Sequence, residues 1–172
     1  MEQKKHLVYL RALEPDDYKV SIKWRKDDEI WSLLGGPKYF VSEEYERNWV
    51  LDTIHQSKDI KLAICTEDDN RYIGNAYLTN IDWINRKATS HILIGDHAYW
   101  GHGFGTDAYS QLLDFAFNQQ NLHRVEALVL EDNIASQKLH EKLGFHRDGV
   151  LIDYVYKDGK YKNQIVYGLI HS

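Results

Sequence analysis

The chain has 172 residues, 43% of them hydrophobic, which suits a single domain over residues 1–172 with a real core and argues against disorder. The formal net charge is −5, and a mildly acidic chain lacks the basic face that broad nucleic-acid binding needs. The single cysteine, Cys65, excludes an internal disulfide and, inside the apolar run 61–65, reads as buried filler rather than a nucleophile. Residues 1–6 are polar with no apolar signal core, and no stretch is long enough to span a bilayer, so the expectation is a soluble cytoplasmic protein with no membrane partner.

In chain order, residues 7–13 form a short apolar strand. Pro15 fits the first turn of a helix, with Asp16 and Asp17 suiting the positive end of its dipole; that helix is predicted to run through Trp24 and stop before Gly35. Ser42 is an N-cap for a second helix carrying Glu43 and Glu44 in its first turn. The period then changes. Ile60–Thr66, residues 72–80 and Lys87–Ile94 read as consecutive strands separated by polar turns. After the glycine-rich segment 100–105, residues 106–118 place Tyr109, Leu112, Leu113 and Ala116 on one helical face. Arg124–Leu130 alternates as a strand, residues 134–143 form a short helix ending at Gly144, and two strands flank a hairpin turn at Asp158-Gly159. Strand runs and helices are mixed, which predicts an α+β domain rather than a doubly wound parallel sheet.

Two segments carry chemistry. The first is Trp100-Gly101-His102-Gly103-Phe104-Gly105-Thr106, between a predicted strand and a predicted helix. Glycines allow close approach of backbone to a ligand, and a helix N-terminus offers free N–H groups to an anion such as a pyrophosphate; a tight turn without a ligand would look the same. It is not a P-loop, which needs a Lys-Ser/Thr pair after the second glycine, and Thr106 stands where a dinucleotide fingerprint needs its third glycine. The second segment runs from Asn133 through Ser136, His140 and Gly144 to Phe145. His140-Glu141 lacks the second histidine of a zinc helix, and no metal site is expected.

From Lys87 to Phe145 the chain resembles the GCN5-related N-acetyltransferases (the GNAT superfamily). Gly103 and Gly105 match that family's pyrophosphate loop, and residues 133–145 match its second motif, Asn-x-x-Ser/Ala-x-x-Leu-Tyr/His-x-x-x-Gly-Phe. Trp100 stands where Gln or Arg is usual. Tyr99-Trp100-Gly101-x-Gly103 resembles the branch of ribosomal-protein N-terminal, spermidine and phosphinothricin acetyltransferases. The resemblance implies a mostly antiparallel sheet of about seven strands with one splayed parallel pair and about four helices. It implies acetyl-CoA held by Ile92, Leu93 and Ile94 on the fourth strand, by Trp100, Gly101, His102, Gly103, Phe104, Gly105 and Thr106 in the loop, and by Asn133, Ser136 and His140. A strand N–H would polarise the thioester carbonyl, an amine would attack directly, and His140 would return a proton to the thiolate.

Two candidates exist for the base. Relatives often carry a fourth-strand Glu where Thr89, or Ser90 with a slip of one, stands here. His91, on the same strand face as Thr89, is a candidate, and water relayed by backbone carbonyls is the other. The acceptor cleft is expected between the first helices and the final hairpin. Trp31, Glu43 and Glu44 are the candidate substrate residues there, since aromatics beside acids suit a cationic amine. The partner would be a small-molecule amine such as spermidine, an amino sugar, an amino acid or a protein N-terminus. A homo-oligomer is compatible with this reading. A non-catalytic acyl-CoA-binding regulator and a nucleotide-binding enzyme of another fold are the alternatives.

Overall fold

In the computed structural model, which describes residues 5–171, the strand-forming runs come together in one mixed sheet. β1 (Val8–Ala12), β2 (Ile60–Thr66), β3 (Tyr72–Asp82) and β4 (Lys87–Ile94) are antiparallel neighbours. β5 (Arg124–Leu130) runs parallel to β4, and β7 (Lys160–Ile170) lies between β5 and β6 (His146–Lys157), antiparallel to both. The order β1-β2-β3-β4-β5-β7-β6 gives seven strands among the described residues. The parallel pairing is short. It comprises Lys87↔Arg124, Ala88↔Val125 and Thr89↔Glu126. Beyond Thr89, β4 follows β3 as far as Gly74↔Ile94, while β5 follows β7 as far as Leu130↔Gln164. The two strands therefore diverge, as the resemblance implied.

Helices cover both faces: α1 (Tyr18–Arg25), α2 (Asp28–Leu33), α3 (Glu43–Gln56), α4 (Phe104–Asp114) and α5 (Ile134–Lys142). α4 buries Ala108, Tyr109, Leu112 and Leu113 against Ile64, Ala76, Leu78, Val125 and Ala127, with Leu139 of α5 at the edge. A second cluster on the opposite strand parity joins Trp24, Ile30, Ala63, Cys65 and Tyr72. Each fully buried leucine or isoleucine in these clusters contributes about 1.5–3 kcal/mol.

Local expectations hold at several ends. Ser42 Oγ caps α3 by accepting from Tyr45 N at 3.0 Å. Asp158 and Gly159 both take positive φ, 51° and 80°, as a tight hairpin turn requires. Cys65 is fully buried.

The first helical region differs from its prediction. The expected single helix is two. Asp27 Oδ1 accepts from the backbone N–H of Glu29 at 3.0 Å and of Ile30 at 3.1 Å, which starts a new helix where Lys26 ends the old one. Pro15 and Asp16 lie in the preceding turn, and Asp17 stands at the N-cap position of α1 without capping it through its side chain. Its carboxylate is drawn to the Arg11 guanidinium, 2.8 and 2.9 Å away, and to the Glu14 N–H. The helix after the glycine loop also ends differently, in a π-turn at Phe115–Gln119.

Candidate active site

The divergence of β4 from β5 opens a cleft of about 490 Å³. Ser90 to Ile94 line one side and Ala127 to Leu130 the other. The glycine loop closes one end, and Asn133, Ser136, Leu139 and His140 of the second motif close another. A peptide in a strand turns its N–H and C=O to one edge and its neighbours turn theirs to the other. Ile92 and Ile94 therefore share an edge that Leu93 does not. The Ile94 carbonyl already accepts from the Trp100 indole N–H at 2.7 Å. Trp100 in turn stacks on His97 with ring centroids 4.0 Å apart, and His97 Nε2 lies 2.8 Å from Asp27 Oδ2, so the loop is tied to the start of α2.

The loop has the backbone that its glycines suggest. Gly101 and Gly103 have φ of +75° and +90°, and Gly103 is the N-cap of α4. The first intrahelical bond runs from Asp107 N to the Gly103 carbonyl, leaving the N–H groups of Phe104, Gly105 and Thr106 at the helix end. Gly101, Gly103, Gly105 and Thr106 line the cleft; His102 is exposed outside it, and Phe104 turns to pack on Tyr99, 4.8 Å between centroids.

Asn133 caps α5, its Oδ1 accepting from Ser136 N at 3.0 Å, and its Nδ2 donates to the Leu33 carbonyl at 3.1 Å. That second bond brings the segment after α2 against the cleft, where Leu33, Leu34 and Gly35 form a wall. The buried Lys157 ammonium holds the same segment by donating to the carbonyls of Trp31 and Gly36.

His140 is only 5% exposed. Its Nδ1 lies 2.7 Å from the Ser136 carbonyl, which can only accept, so Nδ1 carries a proton. Its Nε2 lies 3.0 Å from the Tyr109 hydroxyl. Tyr109 continues to Ser90 Oγ at 2.6 Å, and Ser90 Oγ lies 3.0 Å from the Glu126 carbonyl, where the parallel pairing ends. Burial holds the His140 imidazole below its ordinary value, with the bond to the Ser136 carbonyl opposing it, so the ring is neutral at pH 7. Sequence reasoning missed Tyr109 because it sits in an apolar helical stripe. The available signal was that a buried tyrosine hydroxyl needs a polar partner.

His91 lies on the opposite face of β4. Its Nε2 is 3.1 Å from Thr79 Oγ1, and surrounding protein holds its imidazole below the ordinary value, with Asp59 opposing, although part of its surface meets solvent. It lines the cleft; Thr89 does not.

The expected substrate residues are not brought to the cleft. Trp31 is buried and donates its indole N–H to the Arg25 carbonyl at 2.6 Å, while Glu43 and Glu44 are exposed on α3. Nearby, Arg25 already covers the Trp49 ring at 5.1 Å, and buried Glu46 accepts from Arg25 Nε and Ser21 Oγ. Among the described residues lining the cleft there is no carboxylate. Among the described residues there is also no cluster of groups fit to hold a metal ion, and no helix is long and apolar enough to cross a membrane.

Comparison with known proteins adds independent findings. A family model described as an acetyltransferase (GNAT) domain matches residues 8–146. A probable N-acetyltransferase of Bacillus subtilis (strain 168), YjcK, is 27% identical over 173 residues, covering 95% of this chain and 94% of that protein. A spermidine N(1)-acetyltransferase of Escherichia coli (strain K12) is 28% identical, covering 93% of this chain and 84% of that protein. Among solved structures, spermidine N-acetyltransferase from Vibrio cholerae in complex with CoA and spermine superposes with a TM-score of 0.88 at 24% identity, covering 95% of each chain. A dodecameric structure of the Vibrio cholerae enzyme superposes with a TM-score of 0.80 at 22% identity, covering 95% of this chain and 94% of that one. A family model over most of its length, and relatives matched nearly end to end, place the chain in the GNAT family as an N-acetyltransferase.

Proposed function

We propose that the protein moves the acetyl group of acetyl-CoA to a primary amine, with a polyamine such as spermidine as the first acceptor to test. The observation that carries this reading is the gap between β4 and β5, which runs from the positive-φ glycines at the start of α4 to the buried polar groups at its apex. The group fits. The N–H groups of Phe104, Gly105 and Thr106 suit a diphosphate, and the β4 edge around Ile92, which pairs with no strand of the described residues beyond Thr89, suits an amide chain. Bound there, acetyl-CoA supplies the activated acyl group. An amine of pKa about 10 must lose a proton before it attacks, and His91, neutral at pH 7 and on the cleft, takes it.

The likeness to spermidine enzymes supports a polyamine. The carboxylate-free cleft wall means that charge attraction would come from a distance, from exposed acids such as Glu43 and Glu44. Assembly into a homo-oligomer belongs to the same reading, as in the dodecameric relative.

The test is thiol release from acetyl-CoA against spermidine, amino sugars, amino acids and peptides with a free N-terminus. Spermidine is expected to turn over, with kcat/KM falling as salt rises because exposed charges are screened over ~10 Å at 0.1 M. Turnover of a peptide alone moves the acceptor to protein N-termini. No thiol release with any amine, despite acetyl-CoA binding, leaves a non-catalytic acyl-CoA-binding protein. A second measurement addresses the base. A base works only when neutral, so wild-type kcat/KM should carry a limb that rises with pH through a midpoint below 6.5, the ordinary histidine value, whatever falling limb an acid group adds. His91→Gln should lower it by about 10²-fold and remove that limb. A variant within about twofold of wild type hands the proton to water.

A further inference from the structure

We propose that Tyr109 is the hydroxyl that protonates the departing CoA thiolate, and that His140 works only through it, as the buried group that refills it; this rests on the acetyl-transfer reading above. Counting protons along the chain leads there. Three links run from the Glu126 carbonyl to His140: 3.0 Å to Ser90 Oγ, 2.6 Å on to the Tyr109 hydroxyl, and 3.0 Å on to Nε2. The two hydroxyls bring one proton each. With His140 neutral, Nε2 takes the Tyr109 proton, Ser90 donates to Tyr109 across the shortest link, and the link to Glu126 has no proton left for it. One more proton on Nε2 reverses the chain. Nε2–H then donates to Tyr109 and Ser90 to the Glu126 carbonyl, which leaves the Tyr109 proton to bridge to Ser90 or to turn to an acceptor in the cleft. The chain has a place for one additional proton and a path along which it moves.

Neither nitrogen of His140 is free to meet a sulfur atom, since Nδ1–H is spent on the Ser136 carbonyl and Nε2 faces Tyr109. Tyr109 lines the cleft although it is 1% exposed. Alone it is a weak donor, because burial raises its phenol above the ordinary value while a thiol titrates near ~8.5. Coupled to the protonated form of His140, a minority at pH 7, it becomes a sufficient one. The ionisable groups packed on the His140 ring are Tyr109 from α4 and Tyr167 from β7, whose hydroxyl donates to Glu141 of α5 itself; Phe145 covers an edge. Among the described residues no carboxylate bonds the ring, so its charge is uncompensated and its proton readily given up.

With acetyl-CoA bound, Tyr109 would turn its proton from Ser90 to the sulfur, which would leave with the electron pair of the C–S bond. The Nε2 proton of His140 passes to the phenolate oxygen and restores the phenol. His140 ends neutral and is recharged from water. Of the two protons that the nitrogen loses between ammonium and amide, one balances that recharge and the other, taken first by His91, is released to solvent.

The experiment pairs kinetics with nitrogen NMR of His140. In the wild type, neutral His140 should be the Nδ1–H tautomer with Nε2 as acceptor; the Nε2–H tautomer overturns the proposal without any variant. Tyr109→Phe should lower kcat by ~10²-fold or more while acetyl-CoA affinity stays within about twofold. It should also move the His140 protonation midpoint down, because a buried imidazolium loses its acceptor at Nε2. Ser90→Ala should shift that midpoint in the same direction by less. A Tyr109→Phe protein with kcat within about twofold of wild type, or with an unmoved His140 midpoint, overturns the proposal, since mere packing by Tyr109 would leave the titration alone. A wild type that acetylates no amine fails the acetyl-transfer reading instead, and is told apart because the tautomer and the shift remain readable.

Discussion

Gly103→Val is expected to fold and to lose acetyl-CoA affinity by roughly 10–100-fold. The reason is conformation rather than space. A Cβ at Gly103 would meet only Leu7 Cδ1, at an ordinary 3.6 Å, but φ there is +90°. An L-residue in that region costs about 1–3 kcal/mol, and a β-branched one sits at the upper end. The cheapest relief is to swing the Gly103 peptide back to negative φ, which turns the N–H groups of Phe104 and Gly105 away from a bound diphosphate. At 1.4 kcal/mol per tenfold, the strain alone gives the stated range. Titration calorimetry with acetyl-CoA measures it. Gly36→Ala is the control, because a Cβ there meets nothing within 4 Å. Unchanged affinity in a folded Gly103→Val protein would remove the loop from the cofactor site.

Gly95→Ala should instead damage the fold. A Cβ at this position would sit 2.1–2.4 Å from three ring carbons of Trp24. Neither side can yield cheaply. Gly95 N–H donates to the Ile73 carbonyl at 2.8 Å, and Trp24 is buried edge-on against Tyr72, 4.8 Å between centroids. Overpacking of this kind costs about 1–3 kcal/mol, or roughly 2–12 °C in Tm for a domain of this size. Thermal melts in a double-mutant cycle with Trp24→Leu give the decisive comparison. The glycine substitution should cost much less once the ring is gone. Equal cost in both backgrounds would show that the contact with Trp24 is not what matters.

Much of this fold is written locally. Asp158-Gly159 can hardly avoid a tight hairpin, Ser42 a cap, or Gly144, at φ +87°, a helix stop. The strands Ile60–Thr66, Lys87–Ile94 and Arg124–Leu130 have the predicted bounds because alternation and flanking turns agree there. The misses depend on partners far along the chain. Asp17 stands at the start of its helix as expected, but its carboxylate bonds Arg11 rather than the helix N–H groups. Asp27 looks like part of a continuing helix, yet its carboxylate offers the next N–H groups a better bond than the helix does. The site divides in the same way. The glycines and residues 133–140 are readable as motifs, whereas Tyr109 gains its meaning only when Ser90 and His140, 19 and 31 residues away, meet its hydroxyl. Trp31 is the complementary case: the sequence cannot show that its indole N–H is already satisfied by the Arg25 carbonyl inside the core.

The place of β7 in the sheet bears on how the chain reaches this state. It separates β5 from β6, although both are made before it. During synthesis β5 can join β4 only through three residue pairs, and its other edge stays bare until β7 leaves the ribosome. Bare edges recruit other strands, so the nascent chain passes through an interval in which it is open to aggregation. The hairpin at Asp158-Gly159 shortens that interval, because β6 and β7 can zip together locally and then add to β5 as a unit. Interrupting synthesis before β7 would leave a polypeptide with most of its helices and the wall of its cleft unsupported, a substrate for chaperones rather than a slow enzyme.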